Sequence, residues 1–222
     1  MKPPTAAQEN SLKKLIHGKL HDREQAIAAQ PAKVQNDLRT FINRTRSYDL
    51  LIELLLSDLT QAGKSVKDSP KDQFLRRSTV RMFAAAVEGI LFSLKQRAIA
   101  AAEFSNFTLT DDEVFLLKEQ KPLANTGKKL KFPGFRDNFK LSFNTFSRVY
   151  RATCTTDFGS AGFESLCKTF ELRNRLMHPK SIKTYCVTDE EKQTCADASA
   201  WLHRELDRLM DACQSGVANL TW

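Results

Sequence analysis

Apolar residues recur every three or four positions along most of the chain, and this spacing predicts α-helices. The clearest stripe is expected to form one face of a helix of about seven turns. Its members are Leu38, Phe41, Ile42, Thr45, Tyr48, Ile52, Leu55, Leu59 and Ala62. Gly63 is the predicted stop of this helix. The same spacing predicts a second long helix from about Ser69 to Ala102.

Turn and cap residues divide the remainder into shorter elements. Thr110 and Glu113 have capping-box spacing, which predicts that a helix begins here and ends near Gln120. Residues 121–137 contain two prolines and two glycines, so this segment is predicted to be a loop. Further helices are expected over about 137–152, 161–178 and 188–214. Since no convincing period-two alternation occurs, the predicted fold class is all-α, a helical bundle.

A polar segment over residues 62–72 is the best candidate for a domain boundary. It separates residues 1–66, a predicted N-terminal helical extension, from residues 70–215, a predicted helical domain. Within the extension, residues 8–30 are polar and rich in Ala and Gln, and Pro31 interrupts the helical pattern there.

Positive charge is concentrated in the middle of the sequence. The net charge is +8 over 222 residues, and residues 71–151 carry 15 Lys and Arg against 8 Asp and Glu. A basic region of this kind attracts polyanions such as nucleic acids, although many mildly basic proteins bind none.

Several other classes of function are disfavoured. The apolar runs are too short to span a bilayer and the N-terminus lacks the apolar core of a secretory signal, so no membrane partner and a cytoplasmic location are expected. The five cysteines form no CxxC pair and are interpreted as reduced, buried residues. His17 and His21 share a helical face without a third ligand, and glycine-rich nucleotide motifs are absent. We therefore predict no metal and no cofactor.

The most informative segment is Arg173-Asn174-x-x-x-His178 followed by Pro179. Asn174 and His178 are four residues apart and share a helical face. Pro179 disfavours helical geometry at the residue before it, so His178 is expected at the end of a helix, where its ring can project into a cleft.

These residues can support metal-free cleavage of RNA by its own 2′-hydroxyl. A histidine titrates near neutrality and can accept or donate the protons. An arginine can bind two phosphate oxygens and stabilise developing negative charge. We therefore assign acid–base work to His178, phosphate stabilisation to Arg173 and orientation to Asn174.

The Arg173-Asn174-x-x-x-His178 motif near a helix end, in a basic and helical chain, resembles the signature of the HEPN superfamily. The preceding helix over 76–99 resembles the family's earlier core helix, which often carries an acidic residue, here Glu88. The resemblance covers about residues 70–215. It implies a HEPN-type helical bundle that usually dimerises, and many members are metal-independent endoribonucleases of toxin–antitoxin, abortive-infection or other antiviral systems.

In those members two copies of the motif form one composite site across the dimer. The resemblance therefore implies RNA as substrate, a homodimer that supplies a second His178, and an antitoxin or defence-system protein as a further partner. Glu88 is the matching candidate for an active-site carboxylate that tunes the histidine. Other members have lost activity and serve as dimerisation or binding modules.

Five cations are predicted to contact RNA: Lys128, Lys129, Lys131, Arg136 and Lys180. Four of them lie in the basic segment 118–140, whose lysines could either contact phosphates or maintain solubility. The phenylalanines interleaved there, Phe132, Phe135 and Phe139, are expected to pin the segment to the core.

Two alternatives for the motif stay open at this point. Arg173 could form a structural ion pair with Glu88 or Glu171, and His178 could only cap the C-terminus of its helix. The chain would then be a helical interaction module that binds RNA or a protein without catalysis, with residues 1–66 as the candidate binding region.

Overall fold

The computed structural model describes residues 32–105, 107–119 and 133–217, and every regular element in those ranges is an α-helix. The all-α prediction is confirmed. The helices are α1 (Ala32–Asp68), α2 (Gln73–Phe104), α3 (Asp111–Lys118), α4 (Phe135–Val149), α5 (Ala161–Met177), α6 (Ile182–Tyr185) and α7 (Asp189–Val217).

The chain divides into two compact units between Arg44 and Thr45, within α1. The second unit contains the rest of α1 and all the other helices. The predicted boundary between an extension, 1–66, and a domain, 70–215, stays a prediction, because compactness alone does not define a domain.

Helix α1 continues past Gly63 to Asp68, so the predicted stop at Gly63 was wrong. A glycine inside a helix costs about 1 kcal/mol relative to alanine, which is too little to end a helix that is otherwise favoured. The apolar stripe continues here, because Ala62 and Val66 are both buried. The connector between α1 and α2 is consequently only residues 69–72.

Helix α2 is the central helix of the second unit. The carboxylate of Asp72 caps its N-terminus by accepting hydrogen bonds from the backbone N–H groups of Phe74 and Leu75. Val80, Val87 and Leu94 on this helix are almost fully buried. Helix α2 packs against α4 and α5, and therefore it supports the helix that carries the Arg-Asn-His motif.

The core between α4, α5 and α7 is aromatic. The ring of Phe139 stacks on that of Phe143 with centroids 4.4 Å apart, and it also contacts the rings of Phe163 and Trp201. Phe135 stacks on Phe170 of α5 at 3.5 Å. The prediction that Phe135 and Phe139 pin their segment to the core is confirmed, whereas Phe132 lies outside the described residues.

Helix α5 is fixed most closely to α7. Ser160 caps its N-terminus by accepting the N–H of Phe163. Gly162 then lies directly against Trp201, and a Cβ atom at this position would overlap the indole ring. The missing side chain is therefore what allows α5 to approach α7, and it fixes where the C-terminal half of α5 lies.

The capping box at α3 is present, because Thr110 accepts the N–H of Glu113 and the Glu113 carboxylate accepts the N–H of Thr110. All five cysteines are free thiols. Burial raises the pKa of Cys195 and of Cys213 to about 12, which keeps both protonated. Across the described ranges, every helix is too short or too polar to cross a membrane.

Candidate functional site

Helices α2 and α5 lie side by side and antiparallel where the motif is found. Arg173 of α5 contacts Glu88 of α2, and one turn further along α5 the carbonyl of Leu176 accepts a hydrogen bond from Arg81. Beyond the end of α5, Tyr185 of α6 lies beneath Arg77. We call this line of contacts, from Glu88 to Arg77, the α2–α5 seam.

At one end of the seam, Arg173 bridges the two helices. Its Nη1 donates to Oδ1 of Asn174 at 3.2 Å, and its Nη2 donates to Oε1 of Glu88 at 3.3 Å. The Arg173 and Glu88 side chains are 32% and 52% exposed, so the ion pair contributes little stability. An arginine has five N–H donors, and these two bonds leave others for a ligand.

A solvent-open cavity of about 460 Å³ adjoins this ion pair. Glu88, Arg173 and Asn174 line one side of it, while Glu119 and Asn138 contribute further polar groups. Apolar lining includes Phe92 and Phe170. The cavity therefore presents a guanidinium, two amides and two carboxylates beside aromatic rings.

His178 lies one turn beyond Asn174, at the C-cap of α5, and does not line this cavity. Its backbone N–H donates to the carbonyl of Asn174 at 3.3 Å. The side chain is exposed, and its ring has no hydrogen-bond partner among the described residues. The imidazole is thus accessible to a ligand, and its backbone rather than its ring caps the helix.

The structure therefore brings together Glu88, Arg173 and Asn174, and it places His178 one turn beyond Asn174 at the C-cap of α5. Of the two structural partners considered for Arg173, the observed one is Glu88. Glu171 is exposed on α5.

Sequence reasoning missed Lys95, which supports the opposite wall of the cavity. Its side chain is 1% exposed, and Nζ donates to Oε1 of Glu119 at 2.8 Å and to Oδ1 of Asn138 at 2.6 Å. The lysine thereby joins α2 to α4 and to the end of α3. The available signal was a lone lysine between Leu94 and Ala98 on the apolar face of α2, because such a charge must have partners.

The other end of the seam is basic and contains a tyrosine. The guanidinium carbon of Arg77 lies 4.2 Å from the ring centroid of Tyr185, and that of Arg81 lies 5.7 Å from it. Arg81 also donates to the Tyr185 hydroxyl at 3.4 Å. This hydrogen bond, together with the positive charge of both arginines, holds the pKa of Tyr185 below its ordinary value.

The predicted RNA contacts fall into three groups. Lys128, Lys129 and Lys131 lie outside the described residues. Lys180 is exposed two residues after His178, and its backbone N–H donates to the Thr184 hydroxyl. It therefore lies beside the basic end of the seam.

Arg136 is already paired with a carboxylate. Its Nη2 donates to Oε2 of Glu164 at 2.7 Å, and its guanidinium lies over the ring of Phe163. The hydrogen bond from Arg136 lowers the pKa of Glu164, and the same bond raises the pKa of Arg136. Binding a phosphate here would require Arg136 to exchange one anion for another.

The histidine of α7, His203, contacts its own helix and lines a mostly apolar cavity. His203 is half-buried, and its Nδ1 lies 2.8 Å from the carbonyl of Ser199. It lines a second cavity of about 550 Å³ between α1, α2 and α7, where most of the lining is apolar. Within the described ranges, no group of three His, Cys, Asp or Glu side chains is arranged to hold a metal ion.

Comparison with known proteins adds no relative to this picture: no family model, no curated protein and no solved structure matches the chain.

Proposed function

We propose that the chain is a metal-independent endoribonuclease of the HEPN type that cleaves RNA on the α2–α5 seam. The observation that carries the proposal is the arrangement at the end of α5. An exposed imidazole, His178, whose ring has no hydrogen-bond partner in the described part of the chain, follows by one turn an arginine and an asparagine that line an open cavity. These groups supply the functions that metal-free RNA cleavage requires.

Each residue has a separate role in this proposal. Arg173 binds the scissile phosphate through the donors that Glu88 and Asn174 leave available. Glu88 acts as a positioning residue, because its contact from α2 fixes the guanidinium at the cavity. Asn174 accepts one N–H of Arg173 and keeps its own amide N–H groups for the phosphate or the sugar.

The reaction is an attack of the 2′-hydroxyl oxygen on the adjacent phosphorus. A neutral imidazole accepts the 2′-hydroxyl proton, the bond from phosphorus to the 5′-oxygen breaks, and a protonated imidazole gives its proton to the leaving oxygen. The products are a 2′,3′-cyclic phosphate and a 5′-hydroxyl. One base and one acid are needed, and a homodimer would supply them as two copies of His178.

Incubation of the purified protein with a labelled RNA in excess EDTA tests this proposal. We expect cleavage in the chelator, with 2′,3′-cyclic phosphate ends, and no cleavage of the same sequence carrying 2′-O-methyl groups. An intact RNA, or equal cutting of the 2′-O-methyl strand, would contradict the mechanism, because the nucleophile is blocked in that strand.

We also propose that the activity serves as a toxin or antiviral-defence effector acting on cytoplasmic RNA and restrained by a partner such as an antitoxin. Induced expression of the wild-type chain should then arrest growth, while His178→Ala should be tolerated at the same protein level. Equal growth of the two cultures would contradict this role.

A second candidate function is a non-catalytic helical module that dimerises or binds RNA or protein. The ion pair between Arg173 and Glu88 favours it, because the guanidinium already has a carboxylate partner. It predicts that wild type and His178→Ala bind RNA or a partner equally and that neither cuts RNA.

A further inference from the structure

We propose that the basic end of the α2–α5 seam is a separate RNA subsite, which binds backbone phosphates of the strand beside the scissile bond. The subsite consists of Arg77, Arg81, Lys180, Lys183 and Tyr185. It rests on the proposed function for the identity of its ligand, and it is distinct from the cavity that contains Arg173, since none of its members lines that cavity.

The first argument for the subsite is the positive charge of its four cations. Arg77, Arg81, Lys180 and Lys183 form no ion pair with any Asp or Glu of the described ranges. By contrast, the neighbouring Arg76 is buried and bonded to Asp189. Two arginines that share Tyr185, with two exposed lysines within five residues of that tyrosine in sequence, create a local positive potential that favours a polyanion.

The second argument for the subsite is that contacts with Tyr185 order its two arginines. Tyr185 supports both guanidiniums, with Arg77 over its ring and Arg81 bonded to its hydroxyl. Arg81 is also held by the carbonyl of Leu176, and its buried Nε has no hydrogen-bond partner among the residues that the structure describes. The two arginines are therefore ordered before a ligand arrives, which lowers the entropic cost of binding.

The position of the subsite favours an extended ligand over a small anion. Arg77, Arg81 and Glu88 are spaced so that they share one face of α2, and the first and last are about 16 Å apart along the helix axis at 1.5 Å per residue. His178 follows Leu176, whose carbonyl Arg81 contacts, by two residues and comes four residues after Asn174 of the cavity. A single RNA strand along the seam can therefore reach the subsite, His178 and the cavity together.

Anisotropy of a fluorescein-labelled 2′-O-methyl oligoribonucleotide, which cannot be cleaved by the proposed reaction, tests the subsite with the full chain. Arg77→Gln should weaken binding roughly tenfold and reduce the slope of log affinity against log salt by about one. Arg204→Gln is the matched control, because Arg204 is an exposed arginine on α7, outside the subsite. The buried Glu205 keeps its bond to Arg208 in this variant. The control should change both quantities little.

Lys183→Gln provides a second variant at an exposed side chain, so its effect does not depend on the packing around Tyr185. It too should lower the salt slope by about one. Competition by polyglutamate as strong as that by unlabelled oligoribonucleotide would overturn the proposal, because the surface would then recognise acidic polypeptide equally well. Binding by Arg77→Gln and Lys183→Gln that equals the control would also overturn it.

The outcome is separable from that of the proposed function. A chain that binds the oligoribonucleotide through Arg77 but cuts no RNA supports the subsite and removes the nuclease. Conversely, a chain that cuts RNA while Arg77→Gln binds and cuts like Arg204→Gln retains the nuclease and overturns the subsite.

Discussion

The two ends of the α2–α5 seam use arginine in opposite ways. At the cavity end, Arg173 has a carboxylate partner on the facing helix, Glu88. At the basic end, Arg77 and Arg81 lie against the aromatic ring of Tyr185 and have no carboxylate partner in the described part of the chain. The guanidinium at the cavity end of the seam is therefore paired with a carboxylate, whereas the two at the basic end are packed on an aromatic ring.

The two kinds of partner differ in whether they mainly position a guanidinium or preserve its attraction for phosphates. A carboxylate beside Arg173 orders the guanidinium but reduces the local positive potential, which suits a group that must act at one defined phosphate. An aromatic ring orders Arg77 and Arg81 while leaving their charge uncancelled, which suits contacts along a strand. We therefore expect the cleavage rate to depend on the cavity end and the affinity for RNA to depend on the basic end.

Replacement of Arg173 should break the cavity end alone. Arg173→Ala removes the group proposed to stabilise the phosphorane, and the cleavage rate should fall by about 10²–10³-fold with saturating RNA. Glu88→Gln keeps the size of the partner and should cost less, because Arg173 remains in place. If Arg173→Ala cuts RNA at the wild-type rate, the cavity end has no role in the reaction.

A substitution that displaces α5 should destabilise the fold that holds both ends of the seam. Gly162→Ala places a methyl group into the indole ring of Trp201, and overpacking of this kind costs about 1–3 kcal/mol of unfolding free energy. Gly63→Ala is the matched control, since no atom lies within 4 Å of its Cβ position, and it should stabilise α1 by up to about 1 kcal/mol. Chemical denaturation measures both. A Gly162→Ala chain that is as stable as wild type would show that the α5–α7 approach does not need Gly162.

Variants of Arg136 and Glu164 test whether a cation that is already paired with a carboxylate contacts RNA. Because Glu164 already occupies its guanidinium, Arg136→Gln should leave the salt slope of oligoribonucleotide binding nearly unchanged. Glu164→Gln removes the carboxylate charge and should strengthen binding modestly at low salt. A slope that falls by about one in Arg136→Gln would instead place Arg136 in the RNA contact, as its sequence position predicted.

The smallest predicted effect is alkaline loss of affinity at the basic end. Since the folded-state pKa of Tyr185 is lowered, phenolate forms before the ordinary value of about 10 and cancels one positive charge. Oligoribonucleotide binding should therefore weaken earlier on raising the pH in wild type than in Tyr185→Phe. The stability linked to this lowered pKa is fully present above the unfolded-state value and is lost as pH falls through the folded-state value. Identical pH profiles would contradict the contact with Arg81.

Much of the fold could be predicted from local sequence. The capping box of Thr110 and Glu113 depends on residues three apart, and the burial of Phe139 follows from its periodicity within a basic segment. Gly63 was misread because local helix preference competes with the burial of Ala62 and Val66, which only the packed structure reveals.

The site was predictable only where its parts are close in sequence. Arg173, Asn174 and His178 form a readable motif, and Glu88 was reached through the family resemblance. The partners of other residues are long-range: Glu164 is 28 residues from Arg136, and Tyr185 is 104 from Arg81. Helical periodicity contains no information on such pairs, and so the occupied state of Arg136 and the basic end of the seam, apart from Lys180, were missed.

The central claim is that RNA is cleaved on the α2–α5 seam by the exposed imidazole of His178. Its most direct test is the rate at which one labelled RNA is cut in EDTA by wild type, His178→Ala and His203→Ala. We expect His178→Ala to lose about 10²–10⁴-fold in rate, while His203→Ala, whose half-buried ring bonds to the Ser199 carbonyl, retains the wild-type rate. Equal rates for wild type and His178→Ala would contradict the claim.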